Sequence, residues 1–376
     1  MNFAFSEEQE EFRETLRRFV DEHSPLPSVH ARLETREGYD PDLWQRIARE
    51  LGLQGIHIPE EHGGQGFGLL ELGIACEELG RALVPTPFFS SACLATDAIL
   101  SAGNDRDRQR WLPELASGSA IGTLAVLDEG EEWSAAGVTF PAEPDGEALR
   151  LNGHKRFVTA AGIASIFVVA VRAQGSSGAN GITLAVVPRD APGLGIDVHD
   201  SFDTSRRVAD LSFEGVRAEP LGEIGASGPI LDSILDRGRI ALALGSCGGA
   251  GRCLDMAVAY AKQRIQFARP IGSFQAIKHS LAEVLLEVES ARSIAYWASS
   301  VASEGLDELA LAASVAKSFC DEAYAIASDR NVHIHGGIGV TWEADPHLFV
   351  KRARSNETLL GDPRWQRSRV ADHHGF

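Results

Sequence analysis

Residues 260–275 read Tyr-Ala-Lys-Gln-Arg-Ile-Gln-Phe-Ala-Arg-Pro-Ile-Gly-Ser-Phe-Gln. One apolar helical pattern runs into this stretch and a second runs out of it. Between them, Arg269-Pro270-Ile271-Gly272 breaks the period. Proline disfavours helical geometry in the residue before it, and glycine accepts dihedrals that other residues avoid. Two long helices are therefore expected to meet at a turn. Arg264 and Arg269 accompany Phe267, Phe274 and the amide of Gln275. A planar guanidinium, an aromatic face and an amide suit a diphosphate joined to a flat ring. On residue chemistry alone, an ordinary helix hairpin with solvated arginines also fits.

Outward from this stretch, 230–266 reads as one long helix with Gly245, Gly248, Gly249, Ala250 and Gly251 in its middle. Small residues permit close helix packing, although each glycine costs up to ~1 kcal/mol of helix propensity. Residues 274–303 and 306–332 read as two more helices, and a shorter one follows from Asp345. Four apolar stripes suggest a bundle. His335-Gly336-Gly337-Ile338-Gly339 ends the third helix, where glycine is a common cap. His333 and His335 are two apart, so they would not share a helix face, and no third ligand is evident. No metal site is expected.

At the other end, Ser6 and Gln9 form a capping box for a helix over 6–23, and residues 24–27 read as a break. Asp40-Pro41 starts a second helix that Gly52 ends. Gly63, Gly64, Gly66 and Gly68 have neither the Lys-Ser/Thr of a P-loop nor the strand–helix setting of a dinucleotide turn, so a connection is expected. Helical faces follow through Leu69, Leu72, Cys76, Leu79 and Leu83, then over 91–102 and 105–116. From Ile121 the period shortens to strands at 122–127, 149–151, 166–171, 182–187 and 209–213. Residues 142–147 read as a polar turn, Asn152-Gly153 as a hairpin turn and 174–181 as a loop. The expected fold is mainly α with an inserted β domain. It has an N-terminal helical domain at 1–119, a middle β-barrel-like domain at 120–223 and a C-terminal four-helix bundle at 224–376.

A chain of 376 residues can hold two or three domains. Its formal charge of −18 argues against nucleic-acid and anionic-membrane partners. Anionic ligands require a local concentration of arginines. Cys76, Cys93, Cys247, Cys253 and Cys320 include no Cys-x-x-Cys pair and lie mostly in apolar helical patterns, so buried thiols in a reducing cytosol are expected. No secretory signal or membrane span is expected, and the localisation read from this is cytoplasmic.

The order Tyr-x-x-x-Arg-x-x-Phe-x-x-Pro-Ile-x-x-Phe-Gln resembles the signature of the FAD-dependent acyl-CoA dehydrogenases. His333-Ile-His-Gly-Gly-Ile-Gly-Val-Thr-Trp-Glu343 resembles that family's late glycine motif, and Pro59-Glu-Glu-His-Gly-Gly64 its N-terminal connection. The resemblance covers essentially the whole chain. It implies that Arg264, Phe267 and Gln275 grip the FAD diphosphate and adenine across a subunit boundary. Gly336 and Gly337 would lie along the adenosine part of FAD from a neighbouring subunit. Residues 151–160 resemble the Asn-Gly-x-Lys-x-Trp-Ile-Thr segment, which puts Phe157 near the isoalloxazine and the Thr159 hydroxyl on it. Core packing is the other reading of Phe157. The family's Thr-Glu-Pro loop corresponds to Val126-Leu-Asp-Glu-Gly-Glu-Glu-Trp133, which is more acidic and lacks the proline.

The implied reaction is α,β-dehydrogenation of an acyl-CoA thioester, with a carboxylate as base and flavin as hydride acceptor. The family draws the base from one of two places. Here these positions carry Gly238, before Arg239, and Leu360, in Leu360-Gly361-Asp362. Asp362 and Glu357 are the nearby carboxylates. For them, a helix N-cap and a helix-face charge are the competing readings. The missing base and the Val-His-x-His-Gly-Gly-x-Gly-Val sequence resemble the smaller subunits of bacterial heterotetrameric dehydrogenases acting on steroid side-chain or dicarboxylic thioesters. The expected partners are an acyl-CoA substrate, an electron-transfer flavoprotein, and either further copies in a homo-dimer or tetramer or a second subunit type in α2β2. A non-catalytic partner subunit and a flavin monooxygenase or oxidase are the alternatives.

Overall fold

The computed structural model describes residues 5–376 apart from Glu131 and Leu306. The chain opens with α1 (Glu7–His23), α2 (Leu26–Leu33), α3 (Pro41–Leu51) and α4 (Leu69–Arg81). A π-helical run, Phe89–Thr96, then leads directly into α5 (Asp97–Ala102), and α6 (Asp105–Ala116) follows. Seven strands come next: β1 (Gly122–Ala125), β2 (Pro141–Asp145), β3 (Ala148–Thr159), β4 (Ile166–Ala173), β5 (Ile182–Pro188), β6 (Leu194–Val198) and β7 (Val208–Pro220). After them run α7 (Gly228–Gln263), the short hairpin β8 (Ile265–Gln266) and β9 (Arg269–Pro270), α8 (Gln275–Glu304), α9 (Leu309–His335), α10 (Pro346–Thr358) and α11 (Pro363–His373).

Contacts divide the chain into two compact units. One comprises Met1–Ala31, Leu69–Val84 and Arg239–Phe376, and the other Arg32–Gly68 and Pro85–Gly238. The N-terminal helices are thus shared out: α1 and α4 belong with the C-terminal bundle, and α3, α5 and α6 with the strands.

In the strand-bearing unit, β4, β2, β3, β7 and β5 close a ring, because β5 pairs with both β7 and β4. This is the expected barrel-like β domain. β1 adds to β4 in parallel, and β6 pairs with β7. β4 is buried on both faces from Ile166 to Arg172, which explains its unbroken apolar run. The turn expected at 142–147 narrows to Gly146-Glu147, between β2 and β3, and the one expected at Asn152-Gly153 is strand instead. Residues 141–145 form β2, where charged side chains point to solvent and only Ala142 is buried. Asn152-Gly153 lies inside β3, at a break in its register with β7. There the Gly215 amide donates to Asn152 Oδ1 at 2.7 Å. Gly153 has φ +144°, and a Cβ on it would meet the Phe140 ring at 2.6 Å.

In the helical unit, the glycines of α7 do what their position predicts. A Cβ at Gly248 would lie 1.9 Å from the Glu77 carbonyl oxygen, and one at Gly249 would lie 2.4 Å from the Tyr324 ring. On α4, a Cβ at Gly80 would lie 2.3 Å from the Gly245 carbonyl. Helices α4, α7 and α9 therefore touch backbone to backbone or backbone to ring. Glu77 is buried at this crossing. Its carboxylate accepts from Arg13 Nη1 at 2.5 Å, Arg292 Nε at 2.9 Å and Tyr296 Oη at 2.6 Å. Burial alone would raise its pKa, but Arg13, Arg292 and these hydrogen bonds hold it below the ordinary value of 4.5.

Helix boundaries shift modestly from expectation. The break at 24–27 is shorter than expected, because Pro27 falls in the first turn of α2, where a missing N–H costs nothing. The third bundle helix begins at Leu309 and ends at His335, and the expected start at Leu306 lies outside the described residues. The capping box at Ser6 and Gln9 forms. All five cysteines are buried thiols outside any disulfide.

Gly248→Ala is expected to cost about 1–3 kcal/mol of stability in denaturant titration, since backbone cannot yield as a side chain can. Gly251→Ala, whose Cβ would approach nothing closer than 3.8 Å, should be neutral or stabilising by up to ~1 kcal/mol. The depressed pKa of Glu77 implies stabilisation that is fully present above 4.5 and lost as pH falls through the lower folded value. The stability advantage of wild type over Glu77→Gln should therefore be level near neutrality and shrink on acidification below 4.5. An advantage independent of pH would refute the ion-pair account.

Candidate functional site

The stretch between α7 and α8 is a tight hairpin. Phe267 and Ala268 form its two-residue turn, with φ of +51° and +58°. A hairpin turn with both central residues left-handed normally uses Asn-Gly, and each non-glycine residue there costs about 1–2 kcal/mol. The strain presents Phe267 outward, 87% exposed. Arg269 stacks over the Phe274 ring at 4.0 Å, and the two phenyl rings meet edge to face at 6.1 Å. Arg264 and Gln275 are exposed on the same stretch.

The glycine motif belongs to the same unit and comes against it. His335, the last residue of α9, stacks on Tyr260 with ring centroids 4.2 Å apart, while its Nδ1 meets the Asn331 carbonyl at 2.8 Å. Gly336 turns the chain at φ +67°, and Cβ atoms on Gly336 or Gly337 would meet nothing within 4 Å. Uncovered backbone, an exposed aromatic ring and guanidinium groups fit the chemistry of a dinucleotide. His333 is exposed, and among the described residues no group of three or more His, Cys, Asp or Glu could hold a metal.

Phe157 and Thr159 lie in the other unit, at the end of β3. The register with β7 breaks between Lys155 and Val158, and Phe157 takes φ +51° there. Its amide donates to Asp210 Oδ1 at 3.0 Å, and its half-exposed ring lies 5.6 Å from that of His199. Asp210 also holds Arg156 at 2.6 Å and His199 at 3.1 Å. Thr159 is buried, and its carbonyl accepts from Thr123 Oγ1 at 2.6 Å. Nothing in the local sequence announced Asp210 and His199, because they come from β7 and the loop before it.

The acidic loop before β2 has a structural occupation. Asp128 is buried and accepts from the Phe140 amide at 2.9 Å, from Thr139 Oγ1 at 3.0 Å and from Lys155 Nζ. Burial pushes the Lys155 ammonium down to about 8, against the pull of Asp128. Glu129 is exposed, and Glu131 lies outside the described residues.

The two expected base positions carry no carboxylate. Gly238 lies within α7. Leu360 is buried at φ +61°, and its carbonyl accepts from Arg239 Nε at 3.0 Å and Gln366 Nε2 at 2.9 Å. Arg239 is itself buried over the Trp365 ring at 4.9 Å. Lys317, buried with Asp321, donates to the carbonyls of Asn356 at 2.8 Å and Gly361 at 3.4 Å. Asp362 caps α11 by accepting from the Trp365 amide at 2.8 Å, and Glu357 pairs with Arg354 at 2.8 Å. Both side chains are thus engaged in the ways the competing readings described.

The chain thus combines a helical bundle that exposes a motif suited to a dinucleotide with a closed β domain. The chain belongs to the acyl-CoA dehydrogenase family. The family's N-terminal domain matches residues 6–119, its middle domain 127–216 and its C-terminal domain 229–374. Acyl-CoA dehydrogenase IpdE2 of Mycolicibacterium smegmatis is 35% identical over 367 residues, which are 97% of this chain and 98% of that one. Butyryl-CoA dehydrogenase from Megasphaera elsdenii superposes with a TM-score of 0.92 at 27% identity, over 100% of both chains. The ChsE4-ChsE5 complex from Mycobacterium tuberculosis gives a TM-score of 0.89 at 25% identity, over 100% of this chain and 99% of that one. The family's cofactor is FAD. Among the described residues no helix is long and apolar enough to cross a membrane.

Asp128→Ala would leave the Lys155 ammonium buried without its counter-ion and is expected to cost about 3–5 kcal/mol. Glu129→Ala should be silent. Equal effects in thermal or denaturant unfolding would show that the loop's acids act as a diffuse charge rather than through one buried pair.

Proposed function

We propose that this chain is one subunit of a two-chain acyl-CoA dehydrogenase and that the neighbouring chain supplies the proton-abstracting carboxylate. One observation carries the reading. Gly238 and Leu360 stand at the two positions from which the family draws its base, while Asp362 and Glu357 are held by a helix cap and an arginine. A base must reach the α-proton directly or through one water, and a carboxylate spent on an N-cap is poorly placed for that. The likeness to the ChsE4-ChsE5 complex supports an assembly of two different chains.

In this reading the chain's own contribution is to bind and orient. Arg264, Phe267 and Gln275, with the bare backbone of Gly336 and Gly337, serve the diphosphate and adenosine of a neighbouring subunit's FAD. Phe157 and Thr159 serve the isoalloxazine. Bound FAD supplies the two-electron acceptor for the hydride leaving the β-carbon. An electron-transfer flavoprotein would be the electron-accepting partner. The substrate is an acyl-CoA thioester of the bulky or dicarboxylic kind.

The test compares flavin content and acyl-CoA dehydrogenation by the purified chain alone and after co-expression with a second dehydrogenase-type chain. Turnover only in the complex is expected, with Arg264→Ala lowering the flavin retained there several-fold. Full turnover by the isolated chain would overturn the partner-supplied base. Unchanged flavin in Arg264→Ala would remove that arginine from the cofactor site.

A further inference from the structure

In the strand-bearing unit, β3 loses register with β7 at two points, and the second lies at Phe157. Lys155 pairs with Leu211 and Val158 with Ala209, so Arg156 and Phe157 together stand opposite Asp210. Two residues against one make a β-bulge, which re-aims a side chain and withdraws amides from the ladder. A withdrawn amide needs another acceptor. That of Arg156 donates to the Leu127 carbonyl at 2.9 Å, and that of Phe157 to Asp210 Oδ1 at 3.0 Å. Phe157 holds φ +51° there, a left-handed conformation that a side chain disfavours.

Asp210 is held in turn. Its Oδ1 lies 3.1 Å from His199 Nε2, and its Oδ2 pairs with Arg156 Nε at 2.6 Å. An ionised carboxylate offers only acceptors, so the His199 contact uses a hydrogen on Nε2. The His199 backbone is fixed as well, because its amide donates to the Val208 carbonyl at 3.0 Å and extends the β6–β7 ladder. The Phe157 ring has the His199 imidazole at 5.6 Å and the Arg156 guanidinium at 5.6 Å. Asp197 of β6 stands directly opposite Asp210. Like charges in such a cross-strand pair are destabilising. Sheet pairing thus disfavours aspartate at 210, and its contacts to Phe157, Arg156 and His199 offset this.

We propose that His199 and Asp210 are positioning residues for the flavin. The inference rests on the reading above that Phe157 and Thr159 serve the isoalloxazine. Asp210 fixes the bulged amide of Phe157 and with it the direction of the ring. His199 fixes Asp210 through Nε2 and lies against the ring itself. Held in this way, the phenyl ring keeps one setting toward the isoalloxazine before FAD arrives, which lowers the ordering cost of binding. Without the His199 donor the carboxylate turns toward Arg156, the Phe157 amide loses its acceptor, and the left-handed conformation is no longer over-determined.

Equilibrium dialysis against FAD and visible circular dichroism of the bound flavin test this on the purified protein, in its complex if one is needed. The variants are His199→Leu, His199→Gln and Phe157→Leu. His199→Leu should lower FAD affinity about 10-fold, the scale of one hydrogen bond to a charged group, and change the dichroism of the flavin that stays bound. His199→Gln keeps an N–H donor at similar reach and should recover most of both. Wild-type affinity and dichroism in His199→Leu would overturn the proposal. In that case altered dichroism in Phe157→Leu would leave the isoalloxazine reading standing, whereas unaltered dichroism there would take that reading down as well. A loss of affinity with wild-type dichroism in the flavin that remains, or one that His199→Gln does not recover, would make His199 a residue of the fold alone and also overturn the proposal.

Discussion

The helical unit depends on a steric constraint: the absence of side chains where α4 and α7 cross. The Glu77 carbonyl occupies the space a Cβ of residue 248 would need, and the Gly245 carbonyl does the same at residue 80. Contact this close brings the Glu77 carboxylate among Arg13, Arg292 and Tyr296, away from water. A buried carboxylate is tolerated only when it is paired and hydrogen-bonded, and Glu77 has both. The small residues and the buried ion cluster are two sides of one arrangement.

The same economy of buried cations holds the segment that joins α10 to α11. Carbonyl groups of Asn356, Leu360 and Gly361 are taken up by Lys317, Arg239 and Gln366. Unpaired carbonyls there would carry the cost of losing water without replacement. The backbone around residue 360 is thus firmly positioned although its side chain is leucine. The hydrogen bonds that form this loop use backbone carbonyls and involve no carboxylate at 360.

Strain in the chain concentrates at the motif residues. Phe157, Ala160, Phe267, Ala268 and Leu360 all adopt positive φ without being glycine, and among the described residues Leu83 is the other that does. Such conformations persist only where surrounding contacts over-determine them, and they gather at functional positions. At Phe157 the determining contact is the Asp210 carboxylate on its amide. At Leu360 it is the pair of donors on its carbonyl.

Much of the architecture was legible in the sequence because it rests on periodicity and local chemistry. The capping box at Ser6, the Asp40-Pro41 start, the glycine end of α9 and the apolar stripes of α7 to α9 follow from backbone requirements that a few neighbouring residues satisfy. The segments that resemble the family's motifs were visible as ordered residue types, and so were Gly238 and Leu360 at the positions where that resemblance leads one to expect a carboxylate. Local reasoning failed where a partner strand decided the outcome. Residues 142–145 look like part of the turn that Gly146-Glu147 makes until β3 and β4 supply their hydrogen bonds, and Asn152-Gly153 looks like a hairpin until β7 is laid beside it. Tertiary structure alone decided that Asp128 pairs with Lys155, that Asp210 orients both Phe157 and His199, and that arginines at 36, 189, 206 and 207 line one cavity. Those residues are far apart along the chain. No spacing rule joins them, because the strands and turns that bring them together are fixed by burial of the whole sheet.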